Sequence, residues 1–186
     1  MKKEILPSII LTLICIVAFS VVYPIIVWGV AQFSPNKGNG FLVTAGGKSY
    51  YANIAQKFTA DKYFWPRPSA VDYNASGSGG SNKGPNNPEY LADVQKRIDT
   101  FMVHNPGISK ADIPSDLVTA SGSGLDPDVS VQGAKVQVKR VAAARHLPEE
   151  KVAQIVAANI EKPLLGILGP EKVNVLQLNI ALDQIK

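Results

Sequence analysis

The chain has 186 residues, with 19 Lys and Arg against 15 Asp and Glu, two His and one Cys. That length suits one domain with an appendage, and a net charge of +4 is too mild and too scattered to point to nucleic acid as a partner. A single Cys excludes an internal disulfide framework, so any folded part must be held by its own core.

The appendage comes first. No charged residue occurs from Ile5 to Asn36, and Ile5 to Val30 is almost wholly apolar. As a helix this run would measure about 39 Å at about 1.5 Å per residue. A hydrocarbon core about 30 Å thick can be crossed by that length with some tilt. Trp28 and Phe33 stand where a membrane interface would lie. Pro24 removes a backbone donor and is expected to kink the span. Residues 1–33 are therefore expected to form a membrane anchor, with the span at about 5–30, and residues 34–186 one domain. Lys2 and Lys3 precede the span, so the positive-inside bias puts the N-terminus in the cytoplasm and the domain outside, against a weaker opposing pull from Lys37 and Lys48. The alternative is a signal peptide cleaved after Gly29-Val30-Ala31. The apolar run exceeds the usual signal core of about 7–15 residues, which favours an anchor. Cys15 lies within the span and follows Leu13-Ile14, not the small residue a lipid-attachment site would need.

Beyond the span, Ser34 to Gly40 reads as a turn-rich exit. Phe41 to Ala45 is a short strand followed by a Gly46-Gly47 turn, and Ser49 to Phe58 fits strand or helix. Asn87-Pro88-Glu89 starts a helix whose inward face is Leu91, Val94, Ile98, Phe101 and Met102. Asn105-Pro106-Gly107 ends it. Ser130 is an expected N-cap for one helix over Val131–Arg145, with Ala134, Val138, Val141 and Ala142 inward. Pro148-Glu149-Glu150 starts another helix, running to about Ile160, and Pro163–Gly169 is an apolar loop. Val173–Leu182 alternates imperfectly and reads as a strand. The fold class is α+β: one transmembrane helix, then a mixed α/β extracytoplasmic domain of three helices and two or three strands. Two long polar loops remain, 63–88 and 114–130. Each contains Ala-Ser-Gly-Ser-Gly, at 75–79 and 120–124.

Catalytic motifs fail on spacing. Gly47-Lys48-Ser49 ends like a phosphate-binding loop, but Leu42 stands where that pattern needs Gly. No serine of either loop sits in Gly-x-Ser-x-Gly. His104 and His146 lack metal-ligand spacing, and each ends a predicted helix, where a cation suits the dipole. Asp126 and Asp128 fit an Asx-turn better than a cation site. No catalytic, cofactor or metal residues are therefore assigned. What remains is a surface for recognition. Tyr63, Phe64, Trp65, Arg67, Tyr73 and Asn74 gather residue types that dominate interfaces, on a strip stiffened by Pro66 and Pro68. Core filling is the competing role for Phe64 and Trp65.

YFWPRPSAVDYN, SGGSNKGPNNP, PSDLVTASGSGLDPD and PLLGILGPEKVNVLQLNIALD, in that order, strongly resemble the KdpC family, the C subunit of the Kdp P-type potassium-transporting ATPase. The resemblance covers about Gln56 to Asp183. The chain departs from the family pattern at Asp128, where His is frequent, and at Lys83, where Leu is common. The resemblance implies a bacterial plasma-membrane complex with a channel-like potassium-conducting subunit, an ATP-hydrolysing P-type subunit and a small single-helix peptide. Potassium and ATP would be substrates of that complex. The chain itself would serve assembly, with an effect on nucleotide or potassium affinity also implied. The other classes are a membrane-anchored hydrolase using Ser121 or Ser123, or a stand-alone binding module.

Overall fold

A computed structural model describes residues 2–185 and divides after Leu42 into two compact units. In the first unit, α1 (Lys2–Val17), a π-helical turn (Ala18–Val22) and α2 (Tyr23–Ala31) follow one another. Together Lys3–Ala31 form a helix of 29 residues, long and apolar enough to cross a membrane by length and composition. Pro24 explains the π turn. Its ring would collide with the carbonyl four residues back, and the ladder widens so that the Tyr23 N–H reaches the Ala18 carbonyl. Hydrogen-bonded turns follow the helix, and Asn36 Oδ1 accepts from Ser34 Oγ and the Gly38 N–H.

The chain next forms a hairpin, β1 (Leu42–Ala45) and β2 (Lys48–Tyr51), turned by Gly46 and Gly47 at φ of 56° and 76°. Ser49–Tyr51 thus complete a strand, and the rest of the ambiguous stretch to Phe58 is turn and irregular chain. α3 (Pro88–His104) begins as expected, with the Asn87 side chain accepting from the Tyr90 N–H. Its buried face is narrower than the sequence suggests. Ile98 and Phe101 are buried, whereas Leu91 is 53% exposed and Met102 is exposed.

The sheet is β3 (Asp128–Ser130), β5 (Lys172–Asn174) and β4 (Ile160–Glu161), all antiparallel with β5 in the centre. Val173 stands between Val129 and Ile160. Helix α6 (Glu149–Ala158) packs against its neighbours and buries Val152 and Val156.

Two expectations are corrected. The single helix over 131–145 is broken into α4 (Val131–Lys135) and α5 (Val138–Arg145). At the break the backbone tightens, with the Gln137 N–H bonding to the Ala134 carbonyl three residues back. The Gln137 side chain turns inward. The Ser130 cap holds, accepting from the Gly133 N–H at 2.9 Å. The closing strand is also corrected: after Asn174 the chain forms α7 (Val175–Asp183). Val175, Leu178, Asn179 and Leu182 are buried at helical spacing, and the inward polar Asn179 is what made the pattern look alternating.

Asn174 joins sheet, helix and hairpin. Its Oδ1 caps α7 by accepting from the Gln177 N–H, and its Nδ2 donates to the Ala52 carbonyl at 2.8 Å. Asn174→Ala should lose a cap at about 1 kcal/mol and strand a buried carbonyl at about 1–3 kcal/mol. Urea denaturation should show a lower midpoint with an unchanged slope.

Candidate functional site

Residues 63–73 carry no regular strand or helix, so their backbone groups need partners from elsewhere. Side chains on the helices supply them. Asn179 on α7 brackets Phe64, its Oδ1 accepting from the Phe64 N–H at 2.9 Å and its Nδ2 donating to the Phe64 carbonyl at 3.0 Å. Gln137 does the same for Trp65. Its Oε1 accepts from the Trp65 N–H at 2.8 Å, and its Nε2 donates to the Trp65 carbonyl at 3.3 Å and to Gly133 at 2.9 Å. Both amides are almost completely buried.

Arg140 extends the brace. It donates to the carbonyls of Asp61 and Tyr63 at 2.6 and 3.0 Å, and to the side chains of Gln137 and Asn105 at 2.6 and 3.0 Å. Its guanidinium lies 4.4 Å over the Trp65 ring. Burial pulls its pKa down to about 10, against the opposing pull of Asp61, and it remains charged at neutral pH. Arg145 donates to the Lys62 carbonyl and to Asp183, and the same carboxylate accepts from the Tyr63 hydroxyl at 3.1 Å. Burial and Asp183 raise the Tyr63 pKa, which keeps that donor protonated.

The two long loops meet. The Gly79 N–H and Ser78 Oγ donate to the Ser123 carbonyl at 2.8 and 3.0 Å, and the Ser121 N–H donates to the Pro68 carbonyl. The two Ala-Ser-Gly-Ser-Gly stretches are therefore a packed pair. Gly124 has φ of +67°, and a Cβ there would stand 2.6 Å from Val71 Cγ2 and 2.8 Å from the Gly79 carbonyl. Arg67 crosses the junction to Asp126 at 2.7 Å.

Between the strip and α3 lies a cleft of about 590 Å³. Trp65, Pro66, Pro68 and Tyr73 form one wall, and Lys96, Arg97, Thr100 and His104 of α3 form the other. His104 Nδ1 is 2.8 Å from Asp61, and its ring meets Trp65 edge-on with centroids 4.9 Å apart. Lys96 makes no ion pair among the described residues, whereas Asp93 is engaged by Lys83 at 3.4 Å. The cleft thus joins an aromatic and proline wall to a predominantly basic one.

The candidate interface residues separate accordingly. Phe64 is 0% exposed and belongs to the core, so its expected place on a contact surface is corrected. Trp65 is half-buried: Arg140 lies over its ring, Phe101 meets it in a T-shaped contact, and it lines the cleft. Tyr63 and Arg67 are half-buried. Tyr73, at a left-handed φ of 59°, donates its hydroxyl to the Arg67 carbonyl at 2.8 Å, and burial pushes its pKa up to about 12. Asn74 is exposed and accepts from the Ser76 N–H and Oγ. Sequence reasoning missed Gln137, Arg140 and Asn179, and read Asn105 only as part of a helix stop. The available signal was polar residues falling on the inward arcs of apolar helices.

Other side chains are committed locally. The Asp128 N–H donates to Asp126 Oδ1, which makes the expected Asx-turn, and Asp128 Oδ2 pairs with Lys172 at 2.5 Å. Among the described residues, no group of three or more His, Cys, Asp or Glu side chains gathers to hold a metal ion. Neither histidine bonds to a serine hydroxyl among those residues, and Ser123 Oγ accepts from the Leu125 N–H.

The family model described as K+-transporting ATPase, c chain (KdpC) matches residues 5–184. Potassium-transporting ATPase KdpC subunits are similar over nearly the whole chain. The protein from Flavobacterium psychrophilum is 55% identical over 185 residues, covering 99% of this chain and 100% of the relative. That from Bacteroides thetaiotaomicron is 56% identical over 188 residues, covering 99% and 100%. That from Caldanaerobacter subterraneus is 44% identical over 189 residues, covering 100% and 98%. The chain belongs to the KdpC family.

Replacing either bracketing amide by an apolar residue of similar size should strand two backbone groups, at about 1–3 kcal/mol each. Gln137→Leu and Asn179→Leu should therefore each lower the denaturation midpoint. In a Trp28→Phe background, only Gln137→Leu should also shift Trp65 emission under native conditions. Gly124→Ala should destabilise by roughly 1–3 kcal/mol through overpacking, with added strain from the positive φ.

Proposed function

We propose that this chain is a non-catalytic, membrane-anchored subunit of a potassium-transporting ATPase, and that it supports assembly from the outer face of the bacterial plasma membrane. The observation that carries this is the family match over residues 5–184, which takes in both the apolar helix and the folded unit. The non-catalytic reading draws on the sequence, which has no Asp-Lys-Thr-Gly-Thr phosphorylation motif; Asp61-Lys62-Tyr63 is its nearest start. The outward orientation draws on Lys2 and Lys3 ahead of the span. It would set the domain across the membrane from cytoplasmic ATP, so potassium and ATP are substrates that other subunits handle.

The partners in this reading are a channel-like potassium-translocating subunit, a P-type catalytic subunit and a small single-helix subunit. The braced strip and its cleft are the docking surface, with Trp65, Arg67, Tyr73 and Asn74 at the accessible edge. The brace matters energetically, because a surface already held in shape loses little conformational entropy on binding.

Arg67 provides the test, because its structural role has a matched control. Arg67→Ala and Asp126→Ala break the same ion pair and should destabilise the isolated chain similarly. If Arg67 also contacts a partner, Arg67→Ala should cut recovery of the detergent-solubilised complex by about tenfold or more, on the scale of an interface hot spot. Asp126→Ala and the exposed Lys37→Ala should cut it less. Equal recovery for all three removes Arg67 from the interface. Orientation is read separately, by labelling Ser81→Cys in a Cys15→Ser background with a membrane-impermeant maleimide on intact cells. Labelling is expected, and protection until the cells are lysed would reverse the topology.

A further inference from the structure

Residues 163–169, Pro-Leu-Leu-Gly-Ile-Leu-Gly, form a finger between β4 and β5 that takes no part in the cleft. Leu164 and Leu168 pair across it as an antiparallel bridge, and Leu165 and Gly166 turn the tip at φ of 56° and 76°. Leu165 and Ile167 are 82% and 80% exposed, and Leu164 and Leu168 are also exposed. Four adjacent aliphatic side chains turned to solvent mark a contact surface.

Three features identify the contact. The first is that the base of the finger pairs its own backbone. The N–H groups of Leu164 and Leu168 bond across the bridge, and those of Gly166 and Ile167 donate to the carbonyls of Pro163 and Leu164. Pro163 and Pro170 have no N–H to satisfy. The remaining polar groups of the tip, such as the Leu165 N–H, need water or headgroup partners, which suits the interfacial layer and not the hydrocarbon core. The second is composition. The finger has no Trp, Tyr or Arg, the types that dominate protein contacts. Glu161-Lys162 and Glu171-Lys172 bracket it with charge on both sides, which limits insertion to the tip. The third is the tether. Residues 32–42 follow the apolar helix, and even fully extended they reach no further than about 40 Å at about 3.3–3.6 Å per residue. The start of the folded unit thus stays within that reach of any bilayer the helix spans, so a weakly lipophilic element suffices there.

We propose that the 163–169 finger inserts its aliphatic tip into the interfacial layer of the bilayer that the chain's own N-terminal helix spans. It is a second membrane contact for the subunit. The proposal rests on that helix being a membrane span, and it holds for either orientation.

The test uses the full chain in a Cys15→Ser background with Leu165→Cys, labelled with a polarity-sensitive nitrobenzoxadiazole fluorophore. The chain is reconstituted alone into phosphatidylcholine–phosphatidylglycerol vesicles, with and without lipids bearing a shallow nitroxide. Ala144→Cys on α5, an exposed position, is the matched control. Blue-shifted emission and several-fold stronger nitroxide quenching at position 165 than at 144 are expected. Water-like emission at 165 in floated vesicles overturns the proposal while leaving the anchor intact. Shielding that arises only when the other subunits are added also overturns it and makes the finger a protein contact. A chain that fails to float with the vesicles overturns the anchor and this proposal together.

Discussion

The folded unit depends on two buried primary amides that take the place of a missing strand. Phe64 and Trp65 lie between the hairpin and α3, in chain that pairs with no strand, yet the Phe64 side chain is at the centre of the core. Burying that backbone unpaired would cost more than burying the phenyl ring returns. Asn179 and Gln137 resolve the conflict by donating to and accepting from one residue each. Their positions on α7 and at the α4–α5 break fix where those helices sit relative to the strip. The helix break itself presents Gln137 to Trp65.

A brace of this kind makes a rigid surface from irregular chain. Arg140 locks the start of the strip further through the Asp61 and Tyr63 carbonyls and the Trp65 face, is itself held by Gln137 and Asn105, and the packed Gly-Ser stretches fasten the far loop to the near one. Glycine and serine here serve close approach and not slack. Gly124 has no room for a methyl group, and Ser78 and Gly79 are held by a carbonyl of the opposite loop. A stretch with the composition of a linker is thereby a fixed junction between the two loops.

For a KdpC-family chain, that arrangement supports the proposed assembly role. The cleft's polar groups are divided between structural duties and a basic wall, and His104 is oriented by Asp61 without a serine bonded to it among the described residues. The exposed apolar finger lies apart in the chain, between β4 and β5. If the finger meets the bilayer as proposed, a tethered unit with one shaped surface and one lipophilic tip would have more than one means of holding its orientation at a membrane.

The sequence by itself determined the features that depend on local chemistry. An uncharged apolar run of helical length, an Asn-Pro-Glu helix start, a Ser130 cap and a Gly-Gly turn each act within a few residues, so they are legible without a fold. So was the family, because long ordered motifs survive in one dimension. The tertiary structure decided whatever depends on the face a side chain meets. Val175–Asp183 is a helix with Asn179 on its inward face, and the break within residues 131–145 presents Gln137 to the strip. Phe64 left the expected contact surface for the core, while Trp65 lines the cleft. The partner of Asn179 lies 115 residues away and that of Gln137 lies 72 away. Those distances are set by packing, and no local periodicity encodes them.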